Sequence, residues 1–411
     1  MGTARFGLLG RKLGHSYSPL IHRELVGLDY ELFEREPEDV ESFLRDGAWD
    51  GINVTIPYKR AVVPYLDELT PAAQKLGNVN TIVRRANGTL LGDNTDYAGF
   101  KALVEASGVD VAGKRAVVFG GTGGAGSTCL AVLEDMGAQA ISVSRRGPVT
   151  YDDLGAYADA ALVVNATPVG MYPACPASPA SLEAFAALEG VVDIVYNPAR
   201  TALMMEAERR GIPAVGGLLM LVAQAAAADT LFCGATPFAR EVAALTRKIS
   251  NNEQNIALIG MPGSGKTRVG QAIAARLGRT HVDLDWELER RLGRSCSDVI
   301  TTEGEDAFRT EETATLGDIA KQSGLVISCG GGVVTRPENY PLLHQNSRIV
   351  MLDRPLDELS SKGRPISARD GVAHLAEVRM PLYRAWADVI VPSQPSPGET
   401  ARVALDALEN H

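Results

Sequence analysis

Short apolar runs alternate with stretches of helical spacing along the whole chain, and that alternation predicts an α/β protein throughout. Arg5-Phe-Gly-Leu-Leu9, Tyr30-Glu-Leu-Phe33 and Gly51-Ile-Asn-Val-Thr-Ile56 read as strands, each with a helix candidate after it. Ala116-Val-Val-Phe119 reads as a buried strand, followed by a helix to about Met136 and by strands at Ala140-Ile-Ser-Val-Ser144, Ala161-Leu-Val-Val-Asn165 and Val191-Val-Asp-Ile-Val-Tyr196. Helical segments fill Leu218 to Ile249. Ser250-Asn-Asn-Glu-Gln254 is polar and aperiodic, and reads as a linker. Beyond it stand Asn255-Ile-Ala-Leu-Ile259, a helix from Arg268 to Leu277, and strands at Leu325-Val-Ile-Ser328, Arg348-Ile-Val-Met-Leu352 and Asp388-Val-Ile-Val391. At 411 residues the chain exceeds one ordinary core, and the pattern implies at least three structural domains without internal repeats.

Two glycine-rich loops interrupt this pattern at strand ends. Gly260-Met-Pro-Gly-Ser-Gly-Lys-Thr267 satisfies G-x-x-x-x-G-K-[ST] between a strand and a helix. Gly260, Gly263, Ser264 and Gly265 would let backbone N–H groups face phosphate oxygens; Lys266 would reach the β- and γ-phosphates, and the Thr267 hydroxyl would hold Mg²⁺. That geometry implies ATP. The other loop, Gly120-Gly-Thr-Gly-Gly-Ala-Gly126, contains G-x-G-x-x-G at Gly121, Gly123 and Gly126, with Thr122, Gly124 and Ala125 between them, inside a βαβ unit of the expected length. Where an NAD enzyme usually places an acid, this chain has Ser144, Arg145 and Arg146, which suits a 2′-phosphate and predicts NADP.

A net charge of -10 makes nucleic acid or an anionic membrane a poor partner. The five cysteines show no metal-ligand spacing, which fits a reducing cytoplasm, and with no basic segment followed by a long apolar run before the first strand, no signal peptide is expected. Ala214 to Gly234 is apolar enough to resemble a membrane span, but Gln224, Asp229 and Gly216-Gly217 interrupt it, so a buried helix is expected.

Gly14-His-Ser-Tyr-Ser-Pro19 can aim two hydroxyls at one anion. It is followed by Asn53-Val-Thr-Ile-Pro-Tyr-Lys59, Asn78-Val-Asn-Thr81, Gly92-Asp-Asn-Thr-Asp96, Asn165-Ala-Thr-Pro-Val-Gly-Met171, Tyr196-Asn-Pro198 and Met220-Leu-Val-Ala-Gln-Ala225. In this order the motifs resemble shikimate dehydrogenase, from residue 5 to about 248. The resemblance implies that Lys59 and Asp96 are the catalytic pair, that Ser16 and Ser18 bind the substrate carboxylate with Tyr196 nearby, and that Thr55, Asn80, Asp96 and Gln224 bind ring hydroxyls. It adds Thr167, Gly217 and Met220 to the NADP set. It also implies a substrate domain over residues 1–100, to which helices 218–249 return, and a Rossmann NADP domain over 101–217. Gly216, Leu219 and Ser127 depart from the family pattern. Chemically, a protonated lysine beside an aspartate can stabilise and then protonate a ketone oxygen as hydride arrives.

After the 250–254 linker, Val282-Asp-Leu-Asp285, Phe308-Arg-Thr-Glu-Glu312, Ser328-Cys-Gly-Gly-Gly332 and Arg364-Pro-Ile366 follow the second loop. Asp-x-Asp on a strand would put both carboxylates on one face. With the loop, these motifs resemble shikimate kinase over 255 to about 392, within a P-loop domain of residues 255–411 with a parallel sheet. That resemblance implies that Asp285 orients the attacking hydroxyl, Asp283 supports Mg²⁺, Arg309 and Arg379 hold the substrate carboxylate, Gly330, Gly331 and Gly332 admit the substrate, and Arg364 meets the phosphates from a lid. Ser360-Ser-Lys362 stands where the family often has an arginine against adenine. The combined expectation is an enzyme that makes shikimate from 3-dehydroshikimate and phosphorylates it. Quinate oxidation by the first half is the alternative within the enzyme class, and a turnover-incompetent sensor of the same ligands is the alternative outside it.

Overall fold

Strands that are apolar at nearly every position need cover on both faces, and the chain meets this with three open sheets flanked by helices. The structure, a computed structural model, describes residues 4–14, 16–359 and 371–410. It divides into two compact units, one of Met1–Met171, Ala177–Tyr196 and Leu203–Ile249, the other of Tyr172–Pro176, Asn197–Ala202 and Ser250–His411.

The first unit holds two sheets. In the N-terminal one, β1 (Phe6–Gly10), β2 (Tyr30–Glu34), β3 (Gly51–Val54), β4 (Glu68–Leu69), β5 (Thr81–Arg84) and β6 (Leu90–Asp93) stand in the order β2-β1-β3-β5-β6-β4. β1 is parallel to β2 and β3, whereas β5 is antiparallel to β3 and β6. The expectation of a helix after each of the first three strands holds only for β1 and β2, which lead to helices Ser18–Val26 and Val40–Asp46. After β3 the chain turns and passes through a 3₁₀ segment, Val63–Tyr65. Pro57 and Pro64 each remove a backbone donor in this stretch, which disfavours a continuous helix.

The second sheet contains β7 (Arg115–Phe119), β8 (Gln139–Val143), β9 (Leu162–Asn165), β10 (Gly190–Asp193) and β11 (Ala214–Gly216), all parallel, in the order β11-β10-β9-β7-β8. Alternation along β7 and β9 serves two cores. Val117, Phe119 and Val163 pack on one side, and Ala116, Val118, Leu162 and Val164 on the other. The apolar stretch after β10 resolves into β11 and the buried helix Leu218–Cys233, and no helix among the described residues is long and apolar enough to cross a membrane. This helix crosses helix Asp96–Ala106 at close range: a Cβ on Gly99 would lie 2.8 Å from the Met220 carbonyl oxygen.

The second unit is built on β12 (Asn255–Ile259), β13 (His281–Asp283), β14 (Val326–Ser328), β15 (Ser347–Asp353) and β16 (Val389–Pro392), all parallel, in the order β13-β14-β12-β15-β16. Ala257 and Ile259 face one core, Ile256 and Leu258 the other. The stretch expected to be an aperiodic linker is instead mostly helical, because Ala239–Glu253 is one continuous helix. Its end is held locally, with Gln254 donating to the Ser250 carbonyl at 2.9 Å and to the Ser250 hydroxyl at 2.6 Å.

Candidate active sites

In the first unit, β7 ends at Phe119 beside Val143 of β8 and Asn165 of β9, so the loops leaving these strands emerge at one end of the sheet. The glycine loop is packed so tightly that a Cβ on Gly126 would overlap the Gly120 carbonyl, and one on Gly120 would meet the Thr167 methyl at 2.7 Å. Gly121, Thr122 and Gly123 form the turn, and Gly124 and Ala125 open helix Gly124–Asp135, whose N-cap Gly123 has no side chain to cap the first-turn N–H groups. Arg145 and Arg146 are exposed just past β8, with Ser144 between them and the strand. Thr167 is fixed by Asn165, whose Oδ1 accepts from its hydroxyl at 2.6 Å. Gly217 caps helix Leu218–Cys233, with Met220 in its first turn; a Cβ at Gly217 would strike the Ile194 carbonyl. A loop that excludes side chains at a helix N-terminus, followed by two exposed guanidinium groups, fits a phosphorylated dinucleotide.

Nearby, the Lys59 ammonium donates to Asp96 Oδ2 at 2.5 Å, both side chains being partly exposed. Lys59 comes from the turn after β3, and Asp96 opens helix Asp96–Ala106. The Val79 N–H binds the Lys59 carbonyl at 2.8 Å, which ties this turn to Asn80. Asn80 Oδ1 accepts the Thr95 N–H at 2.7 Å, and the Thr95 hydroxyl lies 3.4 Å from Gln224 Oε1. Thus Lys59, Asn80, Asp96 and Gln224 are brought together. Ser18 donates its N–H to Ser16 Oγ at 3.2 Å, and Tyr196 meets neighbouring Tyr17 edge-on at 6.2 Å, so these three line up as one group. Thr55 follows β3 directly, with its N–H on Leu9 O.

The second unit has a cavity of about 960 Å³ lined by the Gly263–Arg268 stretch, Asp283, Asp285, Arg309, Gly330–Gly332 and Arg379. Gly260, Gly263 and Gly265 all have positive φ, as the curled loop requires. Lys266 Nζ donates to the carbonyls of Gly260 and Met261 at 2.9 and 3.1 Å, while Ser264 is buried beneath the loop. The Thr267 hydroxyl donates to Asp283 Oδ2 at 2.7 Å.

Asp283 and Asp285 do not share a strand, contrary to expectation. Asp283 ends β13 and caps helix Leu284–Leu292, accepting the Asp285 N–H at 3.2 Å, so Asp285 sits in the helix's first turn. Burial, then Glu312 and Asp283, push the Asp285 carboxyl up to about 6, against the smaller pull of Lys266 and Arg309. Arg309 is held at 2.7 Å by Glu312, which is fully buried and whose own carboxyl is raised by burial. The i,i+3 spacing of Arg309 and Glu312 was a readable signal for this pair. A Cβ on Gly332 would occupy the Arg309 guanidinium, and Arg379 donates to the Gly331 carbonyl at 3.0 Å beside the Tyr383 hydroxyl. A Cβ on Gly330 would touch Glu312 and Asp285. Arg364 and Ser360–Lys362 lie outside the described residues.

These sites define a chain with a dinucleotide-type oxidoreductase unit and a P-loop phosphotransferase unit. Residues 8–82 match the shikimate dehydrogenase substrate binding domain, and residues 262–409 match shikimate kinase. The shikimate dehydrogenase (NADP(+)) of Moorella thermoacetica is 36% identical over 263 residues, spanning 56% of this chain and 88% of that protein. Among solved structures, a chorismate mutase/shikimate 5-dehydrogenase fusion protein from Clostridium acetobutylicum aligns at TM-score 0.57 and 34% identity, over 61% of this chain and 98% of that one. Quinate dehydrogenase from Corynebacterium glutamicum aligns at TM-score 0.54 and 28% identity, over 60% and 99%. The chain belongs to the shikimate dehydrogenase family, and its C-terminal part is a shikimate kinase domain.

Proposed function

We propose that the chain catalyses two consecutive reactions on one small molecule: reduction of 3-dehydroshikimate to shikimate with NADPH, then phosphorylation of the shikimate 3-hydroxyl with ATP and Mg²⁺. Residues 1–100 with helices 218–249 bind the first substrate, residues 101–217 bind NADP, and residues 255–411 form the kinase domain. The observation that carries the reading is the Lys59–Asp96 pair at 2.5 Å in a chain that also holds a complete phosphate loop beside Asp285, Arg309 and Arg379.

When bound, the nicotinamide supplies the hydride. Asp96 accepts a hydrogen bond from Lys59 and orients it, and Lys59 stabilises the oxyanion forming at the ketone and hands it a proton. Ser16, Ser18 and Tyr196 hold the carboxylate; Thr55, Asn80 and Gln224 orient the ring. In the kinase, Arg309 and Arg379 take the carboxylate and Asp285 accepts the proton of the attacking hydroxyl. Thr267 and Asp283 present adjoining oxygens, a donor set that suits a hard cation such as Mg²⁺.

Supplying 3-dehydroshikimate, NADPH and Mg-ATP should yield shikimate 3-phosphate by mass spectrometry; its absence from folded protein refutes the reading. Lys59→Ala should stop only NADPH oxidation, and Lys266→Ala only ADP release. Loss of both steps from either change rules out independent sites. The likeness to a quinate dehydrogenase makes quinate the competing substrate to compare by kcat/KM.

A further inference from the structure

Behind the residues assigned to the dehydrogenase substrate lies a buried polar chain that the reaction chemistry does not use. His22 and Asp229 are both fully buried, and Nδ1 of the first is 2.5 Å from Oδ1 of the second. His22 Nε2 is 3.1 Å from Asn53 Oδ1, which also accepts from the Tyr30 hydroxyl at 2.6 Å. Asn53 Nδ2 donates to the Thr81 hydroxyl at 3.0 Å and to the Asn80 carbonyl at 3.3 Å. Thr81 Oγ1 in turn donates to Asn80 Oδ1 at 3.0 Å and lies 3.1 Å from the Thr95 hydroxyl.

The direction of this chain is fixed by groups that have only one role. The Asn80 carbonyl can only accept, so the Asn53 atom facing it is the NH₂ and the atom facing His22 is the oxygen. His22 Nε2 must therefore carry a proton. The Thr95 backbone N–H can only donate, so the Asn80 atom facing it at 2.7 Å is the oxygen. The amide left to face the substrate is then Asn80 Nδ2, a donor matched to a ring oxygen.

Each member of the chain stands one or a few residues from an assigned substrate contact. His22 lies on helix Ser18–Val26, which begins at Ser18. Asn53 precedes Thr55 and the Lys59 turn on β3; Thr81 adjoins Asn80; Thr95 adjoins Asp96. Asp229 lies on the helix that carries Gln224. Stacking of His22 on Tyr30 at 4.2 Å between centroids closes the cluster. Buried polar networks fix one arrangement more firmly than apolar packing does, at a cost in desolvation; here every link named above is made, and Asp229 Oδ2 is the one buried network atom without a hydrogen bond among the described residues.

Resting on the substrate site assigned above, we propose that His22 and Asp229 are positioning residues: through Asn53 and Thr81 they set the spacing of the segments that hold the substrate and present Asn80 as a donor. The test uses the full chain, with its ATP-dependent phosphorylation of shikimate as a control in the same molecule. Thr81→Val keeps the shape and removes the hydroxyl; it should raise KM for shikimate about tenfold, while KM for NADP and the kinase rate stay unchanged. Thr81→Ser restores the hydroxyl and should restore KM. Asp229→Asn keeps a polar partner for His22 Nδ1, with an amide that can either donate or accept, and should remain near wild type, whereas Asp229→Leu should lose shikimate affinity as Thr81→Val does. Unchanged shikimate KM in Thr81→Val and Asp229→Leu, or an equal rise in KM for NADP, overturns the proposal. If the wild-type chain fails to reduce NADP with shikimate, the substrate assignment itself is wrong, and that outcome is read before any variant.

Discussion

Replacing Glu312 with Gln tests the electrostatics of the kinase site most directly. A side chain on Gly330 would contact both Glu312 Oε1 and Asp285 Oδ1, so the two carboxylates face each other across a single backbone position. At a separation on the order of 5 Å and an effective dielectric constant of about 20, their repulsion is about 3 kcal/mol, or about two pH units. Arg309, 2.7 Å from the other Glu312 oxygen, cancels part of that field. About one pH unit remains as the expected effect of Glu312 on Asp285. The perturbation acts on Asp285, the proposed base, whose carboxyl stands at about 6. Wild-type kcat/KM for phosphorylation should therefore fall about tenfold per pH unit below pH 6, followed by ADP release between pH 5 and 8. Glu312→Gln should move that acid limb down by about one unit, whatever it does to KM through Arg309. An acid limb that stays in place, or moves up, refutes the coupling. Stability gives a second reading of the same group. A carboxyl raised above its unfolded value favours the fold while protonated, and that contribution is lost as pH rises through about 6. Asp285 is half-buried at the cavity wall, so water recovers part of the penalty. Asp285→Asn should then stabilise the protein by about 2 kcal/mol at pH 7.5 and by nothing near pH 4, as thermal melting would measure.

Gly332→Ala places a methyl group where the Arg309 guanidinium lies. The shikimate KM of the kinase step should rise about tenfold while KM for ATP holds within about twofold; equal changes in both would mean a general collapse of the cavity. Arg145→Ala with Arg146→Ala should raise KM for NADP at least about tenfold and leave that for NAD nearly unchanged. An equal loss for both dinucleotides in steady-state assays removes these residues from 2′-phosphate recognition.

The segments readable in advance are those where one local signal decides. Asn255–Ile259 and the helix after the second loop follow from an unbroken apolar run, a phosphate-loop spacing and a helical period, none of which needs a distant partner. The misreadings arise where side chains act on the backbone. Asp285 looks like a strand residue in Val282-Asp-Leu-Asp285, but the carboxylate of Asp283, the last residue of β13, accepts N–H groups and starts a helix, which moves Asp285 off the strand. The run from Ser250 has poor apolar periodicity because only Ile249 needs to be buried at the end of its helix. The β5–β6 hairpin is marked in the sequence only by Asn87-Gly88, with Gly88 at φ +86° in the turn, because its strands are only four residues long and carry no distinctive apolar run. Asp229 was legible only as an interruption in an apolar helix. Its partner is 207 residues away, and no local pattern reports such a pairing.

In the proposed reactions the two sites use carboxylates in opposite senses, and the difference follows from what surrounds each one. Asp96 has the Lys59 ammonium as its immediate partner at 2.5 Å, and in the proposed reaction Lys59 is the group that gives up a proton. Asp285 has Glu312 and Asp283 as neighbours in a half-buried setting, while its cations act more weakly, so its carboxyl is raised to about 6. The first arrangement suits reduction, where an oxygen gains negative charge and needs a proton donor. The second suits phosphoryl transfer, where a hydroxyl must lose its proton to a base that is ionised yet not too weak. Neither arrangement follows from the acidic residue alone: the choice between donor and acceptor lies in Lys59 for one site and in Glu312 for the other, which is why perturbing these partners separates the two chemistries.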